Sequence, residues 1–311
     1  MSSRRVPANH QSTYDCIIVG GGPAGLTCAI FLGRCRRRVL LLDNGRPRNY
    51  AAQAIHGFLG QYEISPRELL KRGRAEAQAV GVEFCDCTVE KIQRVGDCFD
   101  VMTSVGKMSG RRVVLAYGVR DKLPDIPNLE KYYGGSIHHC PDCDGYEVTG
   151  KRIGIIGSGK KAVSLALKLL QWSDQLTVLT DGHEREWTTE HTSKLLALSI
   201  DVKDEKIVAL TGDPPRLTAA VLSSGEQVAL DAVFFIIGTE PSCRLAEDLG
   251  CAAIEDTPCF VVDDYKQTTV EGVYAIGDLA PGAQLAITAA ADGAVAAIAV
   301  NKSLLEPARR V

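Results

Sequence analysis

The sequence predicts an α/β protein of two parallel-sheet units, the second inserted into the first. Three observations predict it. Near the start, residues 16–43 run as apolar stretch, glycine-rich turn, apolar helix, apolar stretch. The same succession returns at 152–179. Two further apolar runs, 113–118 and 232–238, end in glycine, as strands do where a chain passes from one unit to the next. The length of 311 residues fits two domains at roughly 100–200 residues each.

The first unit opens with Cys16-Ile17-Ile18-Val19, short and apolar throughout, as expected of a strand covered on both faces. Gly20-Gly21-Gly22-Pro23-Ala24-Gly25 follows at once, then an apolar helix over 26–33 and a second buried strand ending at Asp43. This is a strand–helix–strand unit carrying G-x-G-x-x-G. Gly20 permits the tight turn, Gly22 lets backbone approach a pyrophosphate, and Gly25 lets helix pack on strand. Unpaired N–H groups at the helix start attract the anion. Asp43, at a strand end, is placed to accept from a ribose hydroxyl. The set asks for a dinucleotide, FAD or NAD(P).

A shift of 137 residues superposes Gly20 on Gly157, Gly22 on Gly159 and Gly25 on Ala162. One such motif is weak evidence; two in matching strand–loop–helix–strand contexts point to two Rossmann-like domains. A third segment, Tyr274-Ala275-Ile276-Gly277-Asp278, reads as a short strand, with a long Ala-rich helix from about Gln284. The expected first domain is therefore discontinuous, 1–117 plus 243–311, with 118–242 inserted.

Composition narrows the function. Apolar residues make up 45% and charged residues 23%, an ordinary globular balance. A net charge of −3 gives no electrostatic case for nucleic acid or an anionic membrane. The longest apolar run, 285–300, is mostly Ala, is broken by Asp292 and is too short to span a bilayer. The first thirteen residues read as a frayed arm with no apolar leader core. Eleven cysteines form an odd set without a regular framework, so the expected compartment is the reducing cytoplasm, with most thiols free.

Only Cys140 and Cys143 have redox spacing, in His138-His139-Cys140-Pro141-Asp142-Cys143-Asp144-Gly145. On a helical turn their β-carbons would lie about 5–6 Å apart, so a modest adjustment closes a disulfide. Three readings remain open at this point: a redox dithiol, half of a zinc site, and two packed side chains. A helix start and a neighbouring His138 or His139 would favour the thiolate. His56 reads either as a proton shuttle or as an ordinary loop histidine.

Cys-x-x-Cys-Asp-Gly just ahead of the second glycine loop, with G-G-G-P-A-G at the start and Gly277-Asp278 near the end, resembles the low-molecular-weight thioredoxin reductases. The likeness runs from about Asp15 to the C-terminus. It implies the two-dinucleotide-binding-domain flavoprotein fold, a homodimer and an FAD held by Gly20, Gly22, Pro23, Ala24, Gly25, Asp43, Asn49, Gly277, Asp278, Gln284, Leu285 and Ala286. It further implies that Cys143 faces the flavin, that Cys140 attacks the partner disulfide, and that Asp144 handles the proton; His138 and His139, which flank the thiols, are further catalytic candidates, or simply cap a turn. Electrons then pass between flavin, dithiol and a thioredoxin-like protein or small dithiol by thiol–disulfide exchange.

The chain departs from that family in its second nucleotide domain. NADPH-using members carry a His-Arg-Arg cluster after the second strand; here the stretch is Thr180-Asp181-Gly182-His183-Glu184-Arg185-Glu186. Three acids around one Arg would repel a 2′-phosphate. With Arg46-Pro47-Arg48-Asn49 and His56-Gly57-Phe58-Leu59-Gly60, the chain most resembles an NADPH-independent branch. That branch contains the deeply rooted thioredoxin reductases, the ferredoxin-dependent flavin thioredoxin reductases and the diflavin-linked disulfide oxidoreductases; gliotoxin-type dithiol oxidases share its features. It implies a donor such as ferredoxin and leaves room for a second FAD. The alternatives are an NADPH-driven thioredoxin reductase, an oxygen-dependent dithiol oxidase and a non-catalytic flavin redox sensor.

Overall fold

The computed structural model describes residues 13–309; the N-terminal arm expected before that lies outside them. In chain order the elements are β1 (Tyr14–Val19), α1 (Pro23–Arg34), β2 (Val39–Asp43), α2 (Pro66–Ala79), β3 (Glu83–Asp86), β4 (Val89–Val95), β5 (Cys98–Thr103), β6 (Gly106–Leu115) and β7 (Val119–Asp121). Then come β8 (Ile137–His138), α3 (Pro141–Asp144), β9 (Ile153–Ile156), α4 (Lys160–Leu169), β10 (Leu176–Leu179), α5 (Thr189–Ala197) and β11 (Asp201–Lys203). β12 (Ile207–Asp213), β13 (Arg216–Leu222), β14 (Gln227–Ala229), β15 (Ala232–Phe235), β16 (Thr239–Pro241), α6 (Leu245–Asp248), β17 (Val273–Ala275) and α7 (Ala286–Ser303) complete the chain.

The chain divides into two compact units. One comprises the residues up to Tyr50, Phe58–Arg120 and everything from Thr239 on; the other comprises Ala51–Gly57 and Asp121–Gly238. The expected crossings at 117/118 and 242/243 fall within four residues of these limits. The segment 51–57 was expected with the first domain but clusters with the second unit. It lacks helical or strand periodicity, so nothing in its pattern says which sheet it joins.

In the first unit the sheet order is β3-β2-β1-β6-β5-β4, with β17 also paired to β6. β1 runs parallel to both β2 and β6, as β17 does to β6. Period-two alternation sends Ile17, Val19, Leu40 and Leu42 into one apolar cluster and Cys16, Ile18, Val39 and Leu41 into the other. The second cluster is completed by α1 and α7. On α7 the buried positions are Ala289, Gly293, Ala296, Ala297 and Val300, a stripe of small residues at helical spacing. That stripe lets the two backbones approach: a β-carbon on Gly293 would lie 2.2 Å from the Ala24 carbonyl oxygen.

In the second unit a parallel sheet runs β11-β10-β9-β15-β8. One face packs on α4 and α5 through Ile153, Ile155, Val178 and Phe234. The other, through Ile156, Leu179, Val233 and Phe235, packs on the antiparallel sheet β12-β13-β14. No helix among the described residues is long and apolar enough to cross a membrane.

The helix expected from Gln284 begins at Ala286 instead. The Thr288 hydroxyl accepts from the Leu285 N–H and reaches the Ala283 carbonyl, which holds 283–285 in a non-helical turn. The strand expected to end in Gly277-Asp278 stops at Ala275, and Gly277–Leu279 forms a 3-10 turn.

Gly293→Ala tests the helix contact. Helix propensity favours Ala by roughly 0.5–1 kcal/mol, but overpacking against a backbone carbonyl costs about 1–3 kcal/mol. We expect net destabilisation, read as a lower midpoint in denaturant melts, whereas Ala294→Gly should lose only the propensity difference.

Candidate active site

The first glycine loop lies at the carboxyl ends of the parallel strands, where open α/β sheets bind ligands. Gly20 sits at φ +112°, and a β-carbon there would meet the Ala116 carbonyl oxygen at 2.3 Å. A β-carbon on Gly25 would lie 2.0 Å from the Gly20 oxygen, so strand and helix touch backbone to backbone. Gly22 is different: nothing lies within 4 Å of where its β-carbon would stand. It caps α1 without a side-chain bond, and Pro23 fills the first turn. Two glycines are thus required by the protein's own packing. The third keeps open space in front of a helix N-terminus, which suits a pyrophosphate.

Asp43 ends β2 beside this loop and accepts from the Gly21 N–H at 3.2 Å. Across the sheet edge Arg48 binds Asp278 at 2.8 Å and Gln284 at 2.7 Å. One half-buried guanidinium therefore gathers two of the predicted cofactor residues, which stand 230 and 236 positions away in sequence. Arg48 is not among the residues expected to hold the cofactor, although its neighbour Asn49 is. Gly277, at φ +65°, lies against Ala24 and α7; its N–H donates to Asp292. Leu285 and Ala286 stand at the start of α7.

In the second unit Cys140 and Cys143 form a disulfide with their α-carbons 5.3 Å apart. The local sequence explains the turn. Cys140 is extended and caps α3, Pro141 opens it, and the Cys143 and Asp144 N–H groups both donate to the Cys140 carbonyl. Gly145 follows because a β-carbon there would run into the Trp172 ring at 2.7 Å.

Asp144 stands between two imidazoles. His138 Nδ1 lies 3.4 Å from its Oδ2, and His56 Nδ1 lies 3.7 Å from its Oδ1. His56 also reaches the Cys143 carbonyl at 3.0 Å and, through Nε2, Glu147 at 3.6 Å. His139 points elsewhere, to the Tyr133 hydroxyl at 3.1 Å and Asp121 at 3.8 Å. The structure thus gathers Cys140, Cys143 and Asp144, sets His138 beside the acid and turns His139 to Tyr133 and Asp121. Neighbouring residues of an extended chain face opposite ways; that period-two signal separates the two histidines.

The second glycine loop has its own neighbours. The Glu186 N–H donates to the Ser158 carbonyl at 2.8 Å, and Glu186 Oε2 stands 3.8 Å from where a Gly159 β-carbon would be. Arg185 is forked on Asp204 at 2.7 and 2.5 Å, which holds the Asp204 carboxyl below its usual range. Asp181, at φ +54°, accepts from the Ile207 N–H at 2.8 Å, and burial raises its pKa.

A glycine cradle shaped for a dinucleotide in one unit, with a cysteine disulfide and an acid on a second Rossmann-like unit, defines a disulfide oxidoreductase. Comparison with known proteins agrees. The family model for pyridine nucleotide-disulphide oxidoreductases matches residues 14–293, and the chain belongs to that family. It is 30% identical to a thioredoxin reductase of Treponema pallidum over 302 residues, covering 92% of this chain and 96% of that one. Its fold is similar to the crystal structure of HlmI, with a TM-score of 0.90 and 36% identity over 95% of this chain and 94% of that chain. An oxidoreductase structure from Agrobacterium tumefaciens gives 0.87 and 34%, covering 95% and 100%. The enzyme is an FAD-dependent disulfide oxidoreductase of the thioredoxin reductase type.

The open position at Gly22 gives a direct test. At Gly22 an added β-carbon meets no protein atom within 4 Å, so Gly22→Val adds its bulk to the space before the helix. We expect the apoprotein to melt within about 0.5 kcal/mol of wild type, as surface changes do. FAD affinity, measured by titrating the apoprotein, should fall at least about tenfold, or 1.4 kcal/mol.

Proposed function

We propose that this enzyme moves electrons between bound FAD and a thioredoxin-like protein or small dithiol, through Cys140 and Cys143, without NADPH as its donor. The Cys140–Cys143 disulfide beside Asp144 carries the reading. Bound FAD supplies a two-electron carrier. The residues that would hold it are the α1 N-terminal turn behind Gly22 for the pyrophosphate, Asp43 for a ribose, and Asp278 with Gln284, Leu285 and Ala286 toward the flavin. Arg48 positions Asp278 and Gln284.

At the dithiol, breaking the disulfide takes two electrons and leaves two sulfurs that share protons with their surroundings. Asp144, flanked by His138 and His56, is the group that gives or takes a proton there. Cys140, at the mouth of α3, attacks the partner disulfide, or is attacked by a partner thiolate when electrons run the other way. Mixed-disulfide exchange then resolves through Cys143.

The case against NADPH rests on charges already committed. Arg185 neutralises Asp204 and is not free to fork on a 2′-phosphate. Asp181 accepts from the Ile207 N–H and sits one position beyond Thr180, which is the residue that aligns with Asp43. Glu186 brings a negative charge to the loop where a pyrophosphate would rest. A donor of another class, ferredoxin by resemblance, fits this arrangement, as does a cytoplasmic homodimer. A second flavin belongs to the same resemblance, and counting FAD per subunit decides it.

Two measurements test the proposal. Anaerobic stopped-flow mixing of the FAD-loaded enzyme with NADPH should leave the flavin oxidised on the timescale of turnover; reduction at catalytic rates overturns NADPH independence. Cys140→Ser with Cys143→Ser should abolish dithiol-dependent turnover while leaving FAD content unchanged. Surviving turnover overturns the role of the dithiol.

A further inference from the structure

We propose that His56 is a positioning residue of the dithiol centre, acting through the Cys143 carbonyl and Asp144 to favour thiolate at the cysteine pair. This rests on the reading of Cys140 and Cys143 as a redox dithiol.

His56 comes from outside the inserted sequence, on the segment Ala51–Gly57 that packs with the second unit. One end of that segment is seated by backbone contact. A β-carbon on Gly134 would lie 2.0 Å from the Ala51 carbonyl oxygen. Ile55 is buried. The other end is His56, whose side chain is 22% exposed and has three polar neighbours. An ordinary loop histidine has no reason to be gripped this way.

The partners fix the chemistry. A carbonyl only accepts, so the Nδ1 that meets Cys143 carries the hydrogen in the neutral ring. That leaves Nε2 as the basic nitrogen, facing Glu147. The charged groups around the ring are Asp144 from α3 and Glu147 from the 3-10 turn after it. His138, from β8, reaches the other oxygen of Asp144. A positive charge on this ring would offset the two carboxylates that face it. Without it, Asp144 keeps only His138 and Glu147 loses its facing imidazole, so more negative charge is left around α3 and thiolate is disfavoured. On reduction the S–S bond breaks, the flavin couple supplies two electrons, and up to two protons are taken up. A neighbouring imidazolium allows one sulfur to remain ionised.

The test is the pH profile of iodoacetamide alkylation of the reduced, FAD-loaded enzyme, read by mass at Cys140 and Cys143. His56→Asn keeps a donor where Nδ1 stands but cannot titrate; His56→Ala removes both. We expect both variants to shift the midpoint upward by about one pH unit, near tenfold slower alkylation below it. Thermal melts and FAD retention report folding, so the Asn variant alone suffices if the Ala variant is unstable. An Asn profile that superposes on wild type overturns the proposal and leaves His56 a structural donor. The dithiol reading fails separately if, in the wild type, the pair stays unreactive after reduction.

Discussion

Backbone-to-backbone contact around helix α1 is the constraint on which the rest depends. Gly25 lets the helix start touch the strand turn at Gly20, and Gly293 lets α7 close on Ala24. Both contacts would be lost to any β-carbon, and together they fix the helix N-terminus in place. Gly22 can then remain bare in front of it without loss of rigidity. The dinucleotide cradle is therefore a consequence of how tightly its own walls pack. Arg48 extends that order to the far side, tying Asp278 and Gln284 into one hydrogen-bonded group.

The second unit uses the same topology for a different task. Its sheet carries Cys140 just beyond β8, and α3 is too short to do more than present the cysteines and Asp144. Electrostatics at this centre comes from neighbours of opposite character: His138 is 10% exposed and His56 is 22% exposed, on either side of one carboxylate. At the second glycine loop Glu186 stands near Gly159, Lys160 and Lys161 open α4, and Arg185 is paired with Asp204.

The elements were legible wherever period and punctuation agreed. Cys16–Val19, the glycine loop and Val39–Asp43 could be read because both faces of those strands are covered, which gives unbroken apolar runs. The Cys-x-x-Cys spacing was legible because residues three apart meet on one helical turn. Long-range pairing was not. Arg48 meets Asp278 and Gln284 across 230 and 236 residues, and no local pattern encodes that. The 51–57 segment joins the second unit through a glycine contact at Gly134 and through His56, neither of which shows in periodicity. His138 and His139 looked equivalent in sequence, although strand geometry separates them.

The central claim is that the Cys140–Cys143 pair and the flavin share one pool of electrons. Anaerobic reductive titration with dithionite, followed by flavin absorbance, tests it most directly. Each two-electron couple takes up two equivalents, so the enzyme with one FAD should need about four per subunit, and the double Ser variant about two. Equal uptake by both proteins would contradict the account.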